Sequence, residues 1–189
     1  MCAADPDTVP MAFVIRTAHT ADLAPTELLA LRALLDEAFD GDFSDHDWDH
    51  TLGGLHVLAR DERGLAGHGA VVMRRVRRDG RWLRVGYVEG VAVRHDVRRA
   101  GLGGRIMGAL EDVIARAYEF GALCASDDGA RLYEARGWRA WPGRIHALGP
   151  DGVVRLAEEE GSAYLWPAPA GRGGPGAELL FDWRDGDVL

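Results

Sequence analysis

The residues best placed to do chemistry lie in VEGVAVRHDVRRAGLGGR, residues 88–105, where a strand-like run feeds a helix through a glycine-rich loop. Within it Arg98, Gly101 and Gly103 satisfy the spacing RxxGxG. Such a loop suits a pyrophosphate: glycines let the backbone approach the anion, successive N–H groups point at it, and the helix N-terminus adds a favourable dipole. Neighbouring arginines supply charge-assisted hydrogen bonds. The loop lacks the Lys-Ser/Thr of a P-loop and the GxGxxG of a dinucleotide fold, and its strand sits in a hairpin-linked, largely antiparallel context. An ordinary glycine-containing turn remains the alternative on these residues alone.

Charge is segregated around the same region. From Arg74 to Arg105 there are ten arginines against Asp79, Glu89 and Asp96, a net +7, while the remainder carries 12 arginines against 27 acids, a net −15. The two regions are either solvated faces or the marks of one anionic and one cationic ligand. All 22 basic residues are Arg, which we attribute to coding bias.

The elements that must position these residues are readable from periodicity. Phe13 to Thr17 reads as a strand and Thr26 to Phe39 as a helix. Asp36 to Asp49 holds seven acids, with Phe43 and Trp48, and reads as a polar segment rather than a core element. Strands follow at Leu55 to Ala59, Ala66 to Arg74 and Trp82 to Val93, with an Asp79-Gly80 hairpin turn. Gly86 and especially Gly90 mark a bulge or a close approach. A helix is expected from Arg105 to Phe120, stopped by Gly121, then a buried strand at Ala122 to Ala125. Asp127 or Asp128 is expected to cap a helix reaching Arg136 and ending at Gly137. Strands fit Arg144 to Leu148 and Ala163 to Trp166, Pro167 to Ala177 has loop composition, and Glu178 to Trp183 resumes order. The order predicts a mixed α/β fold, not a doubly wound one, in one domain over 13–189 after a loose segment 1–12. No stretch approaches the roughly 20 apolar residues that span a bilayer. The two thiols, Cys2 and Cys124, form no CxxC, which argues against a cysteine-ligated zinc site and fits a reducing, cytoplasmic setting. His46 and His50, four apart, could be imagined as metal ligands, but polar residues beside a helix start are the simpler account.

The Val91-Ala92-Val93 run followed by the RxxGxG loop, with ARLYEARGW at 130–138, resembles the GCN5-related N-acetyltransferase superfamily. The resemblance implies a mostly antiparallel central sheet flanked by helices, with strands splayed at an acetyl-CoA site. It implies that the backbone of Val91, Ala92 and Val93 pairs with the pantetheine arm. Arg98, Arg99, Ala100, Gly101, Leu102 and Gly103 would hold the pyrophosphate. Acetyl-CoA would lie between the Val91 and Ala122 strands, with the Val91 N–H stabilising the oxyanion. Tyr133 would protonate the leaving thiolate, or else be a packed aromatic on an amphipathic helix. Glu89 would accept the proton of an attacking amine, directly or through water, or else form a salt bridge to an arginine.

A narrower resemblance, covering about residues 14–189, is carried by GDFSDHDWDHTLGGLH, GYVEGVAVR, LYEARGW and DWRDGDVL. These look like aminoglycoside 2'-N-acetyltransferases. The likeness implies a polycationic acceptor touching Asp42, Asp47, Glu89, Gly90, Cys124, Glu158, Glu159 and Asp187, with Leu189 supplying a terminal carboxylate. It also implies a homodimer, no bound metal, and no nucleic-acid or membrane partner. A polycation is best held by several carboxylates, so the acidic excess finds a use, and the segments at 36–49 and 158–160 would converge on one pocket. Three positions depart from the pattern: Cys124 replaces a frequent Ser, Glu158-Glu159-Glu160 replaces an Asp-rich run, and Leu189 stands where a terminal Trp is familiar. The alternatives are the same fold acting on a cell-wall amino sugar, polyamine or protein amine, and a non-catalytic binder of CoA or cationic drugs.

Overall fold

The computed structural model describes residues 12–167 and 176–189, so most of the expected loose N-terminus, Cys2 and the glycine-rich part of the 167–177 loop lie outside the described residues. Ten strands form one mixed sheet: β1 (Val14–His19), β2 (Leu55–Asp61), β3 (Gly64–Arg78), β4 (Arg81–Val93), β5 (Phe120–Cys124), β6 (Arg139–Ala140), β7 (Arg144–Gly149), β8 (Gly152–Arg155), β9 (Ala163–Trp166) and β10 (Glu178–Asp182). Four helices flank it: α1 (Pro25–Ala38), α2 (Asp45–Thr51), α3 (Leu102–Ala117) and α4 (Asp127–Ala135).

The long β3–β4 hairpin is the spine. Its turn is Asp79-Gly80, both with positive φ (50° and 77°), as a tight two-residue hairpin requires. On its other edge β3 pairs with β2 along its first half and with β10 along its second. Among the described residues only the β4–β5 and β10–β7 pairs are parallel. The β4–β5 pairing is short, running from Val85↔Phe120 to Tyr87↔Ala122, and beyond Tyr87 the two strands part. This is the splay expected from the resemblance.

Amphipathic periodicity explains where the helices dock. Ile106, Leu110, Val113 and Ile114 of α3 are buried with Val57, Val71, Val88, Val91 and Val93 on one sheet face, which α4 also covers through Tyr133 and Trp138. Leu31, Leu34 and Leu35 of α1 pack with Phe43, Leu58 and Ala92 on the opposite face. That second face continues under the C-terminal strands, where Val72, Val76, Val85 and Tyr87 meet Ile145, Leu179 and Phe181.

Four local expectations are corrected. Residues 36–49 are not wholly outside the core: Phe43 is buried, and α2 follows, started by a capping box in which Ser44 and Asp47 exchange side-chain to backbone hydrogen bonds of 3.1 and 2.8 Å. Helix α3 begins at Leu102, with Gly101 in the left-handed region (φ 79°) as its N-cap, and ends at Ala117 because Tyr118 turns extended. Gly121 is therefore not a helix stop. It lies inside β5, where an added Cβ would come within 2.9 Å of Ile114 and 3.0 Å of Trp138. The cap of α4 is Ser126, whose Oγ accepts from the Gly129 N–H, rather than Asp127 or Asp128.

Candidate active site

A bulge in β4 sets the site. Glu89 pairs with Ala70 and Ala92 with His68, so three residue steps on β4 oppose two on β3, and Gly90 takes φ 54° to make this possible. Three residues apart in a regular strand, Glu89 and Ala92 would face opposite ways. With the extra residue both lie on the face covered by α1, α2 and the C-terminal strands, together with Tyr87 and Arg74.

Downstream of the bulge the outer edge of β4 is open. The Arg94 N–H donates to the Ala66 carbonyl at 2.9 Å, so Ala66–Arg94 is a bonded pair. By alternation His68–Ala92 is another, and Val91 and Val93 turn their N–H and C=O groups toward the edge from which β5 has diverged. The side chain of Ala92 is buried against α1, so only its backbone is available to a ligand. The loop then passes Arg98, Arg99 (φ 63°), Ala100 and Gly101 into the α3 N-terminus. Leu102 is 1% exposed and belongs to the core, so it too can offer only its backbone.

An added Cβ on Gly101 would meet open space, and on Gly103 only ordinary contacts at 3.4 Å and beyond, so glycine here keeps the loop surface bare for a ligand. Backbone donors, a helix N-terminus and an open strand edge fit a CoA phosphate and pantetheine arm. Arg98 is less simply placed than its spacing suggested: its guanidinium donates to the carbonyls of Val93 (3.1 Å) and Ala38 (3.4 Å). Arg94 fixes the loop's start by bridging Asp96, Asp61 and the Leu65 carbonyl. The basic region of the sequence also divides. Arg74 faces the site, Arg94 to Arg105 surround the loop, and Arg75 and Arg84 sit opposite each other on the β3–β4 hairpin, on its Gly80-turn side of the bulge.

On the acceptor side Glu89 accepts a hydrogen bond from Arg184 Nη1 at 2.5 Å, and both side chains are largely buried. Burial pushes the Glu89 carboxyl above its ordinary range, Arg184 and Arg74 pull it back, and the charge of Asp47 adds to the rise. Arg74, 3% exposed, donates to Asp182 Oδ1 (2.9 Å) and to the carbonyls of Asp182 (2.6 Å) and Val188 (2.5 Å). The C-terminal segment is thus strapped across the site. His50 Nε2 donates to the Asp185 carbonyl at 2.8 Å and Gly186 packs on His46, so these histidines, one helical turn apart on α2, grip the strap.

Cys124, at the end of β5, donates to Glu159 Oε2 (3.2 Å) and lies 3.0 Å from Ser162 Oγ. Burial pushes its thiol up to about 12, so it stays protonated. Burial likewise holds the Tyr133 phenol at about 12, with the nearby Cys124 adding to it. Helix α4 is clamped for this residue. Arg136 forks onto Glu111 of α3 at 2.8 and 2.5 Å, and Trp138 Nε1 donates to the same carboxylate at 2.9 Å.

The two acidic segments therefore send one carboxylate each toward the site. Asp47 is near enough to raise Glu89, and Glu159 touches Cys124. Asp42, Glu158 and Asp187 are exposed, and Glu160 is taken by Arg155 in a paired contact of 2.9 Å. Leu189 packs partly against the core beside Val188. Three participants had no role assigned from sequence: Arg184, Arg74 and Tyr87. The hydroxyl of Tyr87 is, among the described residues, the one fully buried side-chain polar atom without a hydrogen-bond partner. The DWRDGDVL motif contained Arg184, but nothing in its spacing revealed that it folds back onto Glu89.

Residues 20–141 match the family described as "Acetyltransferase (GNAT) domain". The chain belongs to the GNAT acetyltransferase family. As a GNAT acetyltransferase it is 45% identical over 176 residues to an aminoglycoside 2'-N-acetyltransferase of Mycolicibacterium fortuitum, covering 92% of this chain and 90% of that one. Among solved structures, the GNAT family N-acetyltransferase YhbS of Escherichia coli, in complex with CoA, aligns over 97% of this chain and 94% of its own (TM-score 0.57, 20% identity). The chain spans only 33% of a longer solved neighbour, a protein of unknown function from Enterococcus faecalis, over 69% of its own length (TM-score 0.56, 14% identity). At these identities the structural neighbours speak for the fold. A GNAT acetyltransferase draws its acetyl group from acetyl-CoA, and the open β4 edge and the α3 N-terminus are where this chain's groups fit it.

Proposed function

We propose that this acetyltransferase acetylates the 2'-amino group of aminoglycosides and so confers resistance to them. The observation that carries the reading is Glu89, a buried carboxylate with a raised pKa. It stands near the point where β4 and β5 part, with the charge of Asp47 close enough to raise it and with Cys124, which touches Glu159, nearby. The name of the 45% identical relative supports the choice of acceptor.

Acetyl-CoA supplies an electrophilic thioester carbonyl and a thiolate leaving group. This chain's residues do the rest. An acceptor ammonium must lose its proton before it attacks, and Glu89 accepts it. The Val91 N–H, turned off the β3 ladder, donates to the oxygen on which negative charge develops. Tyr133, kept protonated, donates to the departing sulfur. Asp47 and Glu159 hold further ammonium groups of the polycation, and Gly90 leaves room beside Glu89. Cys124 lines the same wall as a neutral thiol. Asp42, Glu158 and Asp187 form the exposed rim, and Leu189, half-buried, sets the terminal carboxylate beside it.

The acceptor's charge also explains Arg184. Its guanidinium holds the place beside Glu89 that a substrate ammonium would take. We further propose that the enzyme works in the cytoplasm, where acetyl-CoA is supplied, and as a homodimer. Exposed Leu148, Val153 and Val154 on β7 and the edge strand β8 are the apolar surface for such a contact, and light scattering after size exclusion tests it. The decisive experiment incubates the protein with acetyl-CoA and an aminoglycoside bearing a free 2'-amine and identifies the product. A 2'-N-acetylated drug is expected. Thiol release only with amino sugars, polyamines or peptides, or thermal stabilisation by CoA without turnover, would overturn the reading.

A further inference from the structure

Two fully buried histidines lie behind the bulge, on the face covered by α1 and α2, and the acceptor cleft makes no use of them. His68 of β3 and His56 of β2 are both 0% exposed, with His56 Nδ1 and His68 Nε2 3.0 Å apart. At the inner end His68 Nδ1 is 2.8 Å from the Gly90 carbonyl. At the outer end His56 Nε2 is 2.8 Å from Thr20 Oγ1, which also accepts from the Gly53 N–H at 2.9 Å.

The chain of contacts fixes the protons of the two rings. A carbonyl can only accept, so His68 Nδ1 carries the hydrogen and its Nε2 is an acceptor. His56 must then donate from Nδ1, which leaves its Nε2 an acceptor facing the Thr20 hydroxyl, whose hydrogen the Gly54 carbonyl also draws at 3.3 Å. Both rings are neutral in this arrangement. Burial agrees, pushing His68 down to about 3, helped by His56, and His56 down to about 4, helped by His19.

The Gly90 carbonyl shares its peptide plane with the Val91 N–H, and in a trans peptide the two point in opposite directions. Whatever holds the one aims the other. Gly90, with φ 54°, is the residue at which this plane is free to rotate. We propose that His68, oriented by His56, is a positioning residue for acetyl transfer: it anchors the Gly90–Val91 peptide so that the Val91 N–H is aimed and polarised toward the developing oxyanion. The inference rests on the reading of Val91 as the oxyanion donor. The path runs from Thr20 at the end of β1 through two strands to the bulge, and hydrogen bonds in such a chain strengthen one another.

The test uses the full chain and three variants, His68→Leu, His68→Asn and His56→Leu, followed by kcat and both KM values, CoA affinity by calorimetry, and 15N NMR of the ring nitrogens and the Val91 amide. In the wild type both rings are expected in the Nδ1–H form at neutral pH. For His68→Leu, kcat should fall about 10- to 100-fold, below the loss for deleting an oxyanion donor outright, with KM and CoA affinity within about threefold. His68→Asn, whose amide can donate from nearly the same place, should recover kcat to within about fivefold of the wild type. In His56→Leu the His68 tautomer should become mixed and kcat fall by less than in His68→Leu.

An unshifted Val91 amide in His68→Leu, or an Nε2–H form of His68 in the wild type, overturns the positioning role. A shifted amide with unchanged kcat overturns the oxyanion reading on which it rests. If kcat and CoA affinity fall together, the bulge serves binding alone and the proposal also fails. Should His68→Leu not fold, His68→Asn, His56→Leu and the wild-type tautomers still decide.

Discussion

At the scale of single residues, the site is governed by what burial does to charge. Glu89 is held above the ordinary carboxylate range by burial and kept from rising further by Arg184 and Arg74. As the proposed base, Glu89 works only when deprotonated, so activity is expected to rise with pH through this raised value. The acid limb of kcat/KM is therefore expected above the ordinary carboxylate range. Arg184→Gln removes the strongest opposing charge and should move that limb further up, while Glu89→Gln should abolish it and lower kcat about 10²- to 10⁴-fold. A pH–rate series on the three proteins, with CoA binding as the control for folding, measures both effects. An unmoved limb in Arg184→Gln would mean that another group is titrating. The place of the RxxGxG loop at the start of α3 and of Glu89 beside the Gly90 bulge was legible in the sequence because both are set by local spacing. Arg184 and Arg74 were not, since their partners are 95 and 108 residues away and no pattern encodes that approach.

At the scale of elements, the β4 bulge and the start of α3 use glycine for different reasons, and substitution should separate them. At Gly90 a Cβ would combine a left-handed φ with contacts of 3.1 Å to Thr51 and 3.3 Å to Leu35. Gly90→Ala is expected to cost about 2–4 kcal/mol, from backbone strain and overpacking together. At Gly101 the φ is equally left-handed but the space is empty, so Gly101→Ala should cost about 1–2 kcal/mol. Urea unfolding of the two variants gives the comparison, and equal losses would show that crowding at the bulge has no weight. Elements with strong periodicity, such as α1, α3 and the β3–β4 hairpin, were readable within a few residues. Helix α2 shows no apolar periodicity because Trp48 is the one apolar residue in DHDWDHT, although Ser44-x-x-Asp47 is a capping-box signal. Gly121 was misread because glycine ends helices and also admits close packing, and only the approach of Ile114 and Trp138 tells which.

At the scale of the whole molecule, distant parts of the chain meet around Glu89. The strap at 183–189 is held by Arg74, His50 and the Arg184–Glu89 pair, none of which touches the β4–α3 loop. Truncation after Asp182 is therefore expected to raise the aminoglycoside KM at least tenfold while leaving CoA affinity within about threefold, since a few lost charge-assisted bonds are each worth about 1.5–3 kcal/mol. Parallel loss of both affinities would show that the strap supports the entire sheet. Charge acts over the same scale. The net −8 is set by acids that outnumber arginines outside the 74–105 region, while the glycine-rich loop carries Arg98 and Arg99 and is flanked by Arg94 and Arg105. If the surplus acids attract the polycation and the loop arginines the CoA phosphates, both attractions are screened as the Debye length shortens from about 30 Å at 0.01 M salt to about 8 Å at 0.15 M. A polycation gains more from an acidic surface than a singly charged amino sugar does. Between those salt concentrations the aminoglycoside KM should rise severalfold with kcat little changed, and the KM for a monoamine acceptor should hardly move. Steady-state kinetics at the two salt levels reads this directly, and equal salt dependence for both acceptors would remove the field from the account of specificity.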